Sequence, residues 1–438
     1  MTNSLEPENT KRQFRHGVRV FQNRDFRYFW GTRVLGYLAV EMMVTTVGWQ
    51  VYRITGRELD LGLVGLAQFA PFAMLFLVSG VVADRLPRMY IIRACIAVQT
   101  ICALGLFLLT ITGDDNFIYI LLLLLVFGTS RAFQGPAQQA ILPNLVSKSD
   151  LPNAIAWSAS GFQMARVIGP TISGVLIVIG VQFNQDETWV YSVVGLFFVV
   201  ASWMAWNVRA SSQIVSRDPI TLTNLFAGLK FIRSRKVILG AISLDLFAVL
   251  FGGALALLPV YAKDILNVGA EGFGLLRSAF TLGALFGALY LTQRPIKYRA
   301  GIKLLIAVAG FGTGAIVFGL SNIFWLSLLA LLVMGLCDSV SVFVRQNMVQ
   351  IITPDSMRGR VSAVSSVFTG ASNELGEFES GITAHWWGTV PAVVFGGAVT
   401  VFVALSFAYI FPQLRQVNSL DSDDLVRRYR DPPVVTKN

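Results

Sequence analysis

Seven ionisable residues of this 438-residue chain stand deep inside apolar stretches: Glu41, Arg131, Arg166, Asp245, Asp338, Glu374 and Glu377. A charge held at the centre of a bilayer costs at least about 2.5–3.5 kcal/mol, so such groups pair with one another or face a cavity. Glu374 and Glu377 are three residues apart, which puts both carboxylates on one face of a helix. Glu379 falls about 140° round from Glu374, on another face. Two carboxylates close together in a low dielectric resist simultaneous ionisation. Such a pair can take up a proton at one side of a membrane and release it at the other. Arg166 or Arg131 could supply the compensating cation. A second role is equally open to each residue: a permanent ion pair that fixes helix arrangement, as for Asp338 with Arg131 or Arg345. Arg33 and Arg277 lie near segment ends, where a long side chain reaches an interface, and are expected to be anchors.

Other chemistry finds little support. The two histidines, His16 and His385, stand in a basic N-terminal stretch and beside Trp386 and Trp387, a pair expected in an interfacial belt. Cys95, Cys102 and Cys337 lack metal-ligand spacing and read as core residues. No phosphate-binding glycine loop occurs, so neither ATP-driven pumping nor enzyme activity is expected, and no cofactor or metal is implied. Gln68, Phe69, Phe72, Phe76, Gln134, Gln138, Gln163 and Asn373 are types suited to lining a cavity for an aromatic ligand.

The elements that hold these residues follow from composition. The chain is 54% hydrophobic and only 14% charged, against about 25% charged in an ordinary soluble domain. Mean hydropathy is +0.62. Charges crowd into the termini and short junctions, and between them run apolar stretches of about 20 residues, enough to cross a hydrocarbon core. This excludes a soluble enzyme, a disordered chain and a disulfide scaffold. Twelve spans are expected, near 28–52, 61–83, 89–112, 117–142, 153–180, 189–208, 237–261, 272–293, 300–320, 323–349, 362–384 and 391–411. Tight turns at Gly113–Asn116 and Gly388–Val390 imply antiparallel neighbours. Met1 to Arg27 is polar, so no cleavable signal peptide is expected.

The net charge of +10 is read as loop charge and attraction to anionic lipid, not as a nucleic-acid footprint. Basic residues gather at alternate junctions, and the intervening loops offer only Arg53, Arg57 and Lys263. Both termini are therefore expected to be cytoplasmic. The expected order is a basic tail (1–27), a six-helix half (28–209), a central loop (210–236), a second six-helix half (237–411) and a cytoplasmic tail (412–438). Leu145–Ser158 aligns with Ile351–Val364, each a short polar loop opening a helix. Two such halves describe a parallel-repeat transporter with its site near the midplane.

Three motifs carry a family resemblance. Between the second and third spans stands Gly80-Val-Val-Ala-Asp84-Arg85-Leu-Pro87-Arg88. It resembles the Gly-x-x-x-Asp-Arg-x-Gly-Arg signature of the major facilitator superfamily, departing only at Pro87. Arg131-Ala-Phe-Gln134-Gly135 resembles that family's fourth-helix motif. Gly161, Gly169-Pro170 and Gly174 resemble the fifth-helix motif associated with antiporters. The segment Gly370 to Gly381 resembles the enterobactin-exporter-like branch, which also includes drug and macrolide exporters. The resemblance covers about residues 20–411. It implies an all-α membrane protein with the twelve-helix major facilitator fold, and a cytoplasmic latch at Gly80, Asp84, Arg85 and Arg88. The equivalent junction in the second half, Leu291 to Pro295, has no acid, so any latch is one-sided. Physically, Pro170 deletes a helix hydrogen bond and the nearby glycines permit close helix contact.

The resulting expectation is a secondary exporter in a bacterial cytoplasmic membrane. Its partners would be protons, membrane lipids and a siderophore or amphipathic drug-like molecule, with the chain acting as a monomer. The alternatives are a lipid or small-metabolite transporter of the same fold, possibly an importer, and a non-transporting sensor or scaffold.

Overall fold

The computed structural model describes residues 19–114, 116–147, 150–183, 187–209, 222–294, 296, 298–420, 425 and 429. The basic stretch 1–18, most of the tail beyond 420 and the first part of the central loop lie outside them. The regular structure described is helical: α1 (Arg24–Thr55), α2 (Glu58–Arg85), α3 (Arg88–Thr112), α4 (Phe117–Leu145), α5 (Leu151–Gln182) and α6 (Thr188–Asn207) come first. They are followed by α7 (Leu222–Ser234), α8 (Lys236–Phe251), α9 (Gly269–Gln293), α10 (Ala300–Leu320), α11 (Phe324–Ile352), α12 (Asp355–Trp387) and α13 (Thr389–Ile410).

Among the described residues, eleven helices are long and apolar enough to cross a membrane. The twelfth, α12, has ample length at 33 residues. It carries Glu374, Glu377 and Glu379 with Asp355, Arg358 and Arg360, and falls short on apolar character. Local chemistry explains the ends. Gly113 takes a left-handed conformation (φ 71°) to close α3, and the Asn116 side chain accepts the Ile118 N–H to open α4. Gly388, at φ 88°, makes the α12–α13 turn.

Two details depart from the expected pattern. The seventh span is not one helix: α8 stops at Gly252-Gly253 and continues as a 3₁₀ turn (Ala254–Leu257), a helical turn (Leu258–Val260) and a π turn (Tyr261–Ile265). Paired glycines end a helix cheaply because they lose the most backbone entropy on staying helical. The central connection is not all loop either, since it holds α7. The backbone of α7 approaches α12, where a Cβ on Gly228 would sit 2.8 Å from the Arg360 carbonyl oxygen.

Contacts divide the chain into two compact units, residues 1–46 with 70–219 and residues 47–69 with 220–438. In the first, α3 packs on α4 and α6. In the second, α9 packs on α11, α10 on α11 and α13, and α8 on α12 and α13. Small residues set these crossings: a Cβ on Gly335 would collide with the Phe280 carbonyl, and one on Gly283 with that of Leu332. Close backbone approach of this kind is the usual currency of helix packing in lipid, where apolar burial drives nothing.

Candidate functional site

In the first unit, α1 presents Arg33, Tyr37 and Glu41 as one stripe, each four residues from the next. The α5 glycine motif creates the room beside it. A Cβ on Gly169 would lie 2.8 Å from Glu41 Cβ and 3.4 Å from the Met42 nitrogen, and one on Gly161 would lie 2.5 Å from Val34. Ser173, one turn beyond Gly169, donates to the Met42 carbonyl at 3.1 Å. Pro170 sits inside α5 and Gly174 is buried. The motif thus seats α1 against α5 with Glu41 at the crossing.

There Glu41 meets Arg166 at 3.9 Å, the long limit of an ion pair. The Arg166 side chain is 46% exposed and its guanidinium lies 5.7 Å from the Phe162 ring centre. Arg33, expected as an interfacial anchor, turns inward instead. It donates to the Tyr37 hydroxyl (3.1 Å), which donates to Gln138 on α4 (3.0 Å). Tyr37 also meets Phe162 edge-on at 4.8 Å. Arg131 lies 5.9 Å from the ring of Phe127, one turn back on α4. Gln134 accepts from buried Gln99 at 2.7 Å.

The signature between α2 and α3 is partly described. Arg85 is exposed at the end of α2. Arg88 is buried and donates to the Ala140 carbonyl at 2.8 Å, holding the start of α3 to α4. The surroundings of Gly80 and of the Asp84 side chain lie outside the described residues.

In the second unit, Asp245 on α8 and Arg345 on α11 form a buried ion pair at 3.1 Å. Arg345 also donates to the Thr369 hydroxyl at 3.2 Å, and its buried Nε has no hydrogen-bond partner. Asp338 borders the same place. A cavity of about 20 Å³, lined by Asp245, Asp338, Cys337, Ser341 and Phe311 among others, is large enough for about one water. Sequence reasoning offered Arg345 as a partner for Asp338; the structure pairs it with Asp245, a hundred positions away.

Glu374 and Glu377 point together, as their spacing requires. Both reach Gly65 on α2: a Cβ there would be 2.9 Å from Glu377 Oε2 and 3.7 Å from Glu374 Oε2. With the two distances laid end to end, no more than about 6.6 Å separates the oxygens. Around them the backbones of α2 and α12 nearly touch. A Cβ on Gly62 would lie 3.1 Å from the Phe378 carbonyl, and one on Gly381 3.0 Å from that of Glu58. Behind, Gly376 faces the Val249 and Leu250 carbonyls at the end of α8. Gly62 and Gly65 had a readable signal, a small-residue pair one helical turn apart, which sequence reasoning passed over. Apart from Arg131, the midplane charges therefore fall into three sets: Glu41 with Arg166, Asp245 with Arg345 beside Asp338, and Glu374 with Glu377.

Comparison with known proteins bears on what such an arrangement serves. The sequence profile of the transmembrane secretion effector family matches residues 17–437. The chain is similar to the enterobactin exporter EntS of Citrobacter koseri, 25% identical over 413 residues and covering 94% of each chain. It is also similar to EntS of Escherichia coli O1:K1, 26% identical over 342 residues, 77% of this chain and 80% of that one. Among solved structures, a bacterial homologue of the human lysosomal transporter Spinster superposes with a TM-score of 0.71 at 14% identity, over 89% of this chain and 96% of the other. A bacterial homologue of the iron transporter ferroportin gives 0.68 at 16% identity, over 90% and 99%. These last two likenesses show the fold alone.

Proposed function

Since the chain belongs to the transmembrane secretion effector family of major facilitator transporters, a multi-pass membrane protein and not an enzyme, we propose that it exports an amphipathic small molecule of siderophore or drug type in exchange for protons. The observation that carries this reading is the approach of Glu374 and Glu377 to one point beside Gly65. Two carboxylates no more than about 6.6 Å apart repel by at least about 2.5 kcal/mol at an effective dielectric of 20. One proton shared by the pair relieves this repulsion, and any movement that separates α2 from α12 changes how readily that proton exchanges with water. A proton entering down about 100 mV supplies roughly 2.3 kcal/mol, enough for about a fiftyfold gradient of a neutral substrate.

The supporting roles follow. Both termini face the cytoplasm of a bacterial cell, as the placement of basic residues supports, and Gly80, Asp84, Arg85 and Arg88 form a latch on that side. Within the first unit, Glu41, Arg166 and Arg131 border the substrate path. Export is favoured over import by the similarity to enterobactin exporters. The test is accumulation of enterobactin and of a fluorescent drug by everted vesicles made acidic inside. Protein-dependent accumulation that collapses with the proton gradient is expected. Accumulation by right-side-out vesicles instead, or indifference to the gradient, would overturn the reading.

A further inference from the structure

We infer that the first unit carries a binding site for the anion of an aromatic acid, with Arg166 as the cation that receives it and Glu41 as the counter-ion it displaces. This rests on the exporter reading and adds the charge and chemical class of the molecule carried.

The stripe on α1 and its α5 neighbour holds two guanidiniums, Arg33 and Arg166, against one carboxylate, Glu41. The two cations are held differently. Arg33 is fixed: its Nη2 is bonded to Tyr37, which is bonded to Gln138, and the guanidinium lies 5.7 Å from the Phe29 ring centre and 5.5 Å from that of Tyr37. Its buried Nε has no hydrogen-bond partner. Arg166 is loosely held, 3.9 Å from its carboxylate and nearly half exposed. A guanidinium offers five N–H donors in a fork that fits a carboxylate in two-point fashion. At 3.9 Å, Glu41 does not make that contact. A better-placed carboxylate would therefore win Arg166 from it.

The walls set the rest of the ligand. Phe162 lies under Arg166, and Tyr37 meets Phe162 edge-on, so a ring entering here finds aromatic partners on two helices. A ring bearing an acidic group a bond or two away matches this spacing. A cationic ligand would meet two guanidiniums for one carboxylate. Glu41 neutralises Arg166 while the site is empty and lets go when the anion binds. The charge has a further effect on transport: with the cell interior negative, each negative charge carried outward gains about 2.3 kcal/mol per 100 mV, a further fiftyfold in the gradient reached.

The test is calorimetric binding of three probes with one ring and different charge, 2-naphthoate, 2-naphthamide and 2-naphthylmethylammonium, to the purified full chain in detergent at neutral pH. The expected order is naphthoate tightest by tenfold or more over the amide, with the ammonium weakest. R166Q should bring naphthoate down to the level of the amide, while R166K keeps a preference for the anion and shows that the fold is intact. E41Q should tighten naphthoate severalfold by removing its competitor. Equal or better binding of the ammonium, an unchanged preference in R166Q, or no effect of E41Q would overturn the inference. Because no gradient or direction enters this assay, its failure is distinguishable from failure of the exporter reading.

Discussion

Asp245→Asn tests the role of the buried pair on α8 and α11. Asp245 and Arg345 side chains are 7% and 5% exposed and 3.1 Å apart. Replacing the acid leaves a buried guanidinium hydrogen-bonded to the neutral Thr369 hydroxyl. Removing one partner of a buried pair costs about 3–5 kcal/mol because the other charge stays buried uncompensated. For a cooperative unit of 150–250 residues, about 1 kcal/mol moves the melting temperature by about 2–4 °C. D245N should therefore melt about 6–20 °C lower, with Asp338 across the small cavity drawing the loss toward the lower figure. The double variant D245L/R345M removes both charges and should recover most of the loss. Intrinsic fluorescence melting of the purified chain in one detergent measures both. If D245N melts within 2 °C of the parent, or the double variant is as unstable as the single, the reasoning fails. A recovered double variant that still moves protons with substrate would assign this pair to structure.

Three further outcomes follow from the same geometry. Gly65→Ala places a Cβ 2.9 Å from Glu377 Oε2 and 3.3 Å from Glu377 Cβ, so the Glu377 carboxylate must shift relative to that of Glu374; substrate-driven proton flux should fall severalfold while melting drops by only a few degrees. Gly169→Ala drives a Cβ to 2.8 Å from that of Glu41 and 3.4 Å from the Met42 nitrogen. This overpacking should cost about 1–3 kcal/mol, seen as a lower melting temperature. Tyr37→Phe strips Arg33 and Gln138 of their shared hydroxyl; leaving buried polar groups unmatched should cost about 1–3 kcal/mol, again read by melting.

The spans were legible because crossing a bilayer demands about 20 apolar residues, a requirement local enough to read one segment at a time. α12 was legible for a second reason: its length fits while its three glutamates resist the bilayer, and a segment that breaks the rule in one place marks chemistry. The Glu374–Glu377 pairing followed from helical periodicity alone. What could not be read was partnership across the fold. Nothing near Asp245 in the sequence points to Arg345, and nothing near Arg33 points to Gln138, since both contacts depend on how helices cross. The break at Gly252-Gly253 and the helix 222–234 were hidden differently, the first inside an apolar run that reads as continuous and the second among basic loop residues that mask its apolar face. Arg33 shows the limit of position as a guide, since it lies near a helix end yet turns toward Tyr37.

The central claim is that the paired carboxylates of α12 carry the proton that drives export. Proteoliposomes containing the chain, a pH-sensitive dye and enterobactin measure it directly, comparing the parent with E374Q/E377Q. Substrate-dependent proton movement is expected in the parent and its loss in the double variant, with substrate binding kept. Proton movement undiminished in E374Q/E377Q would contradict it.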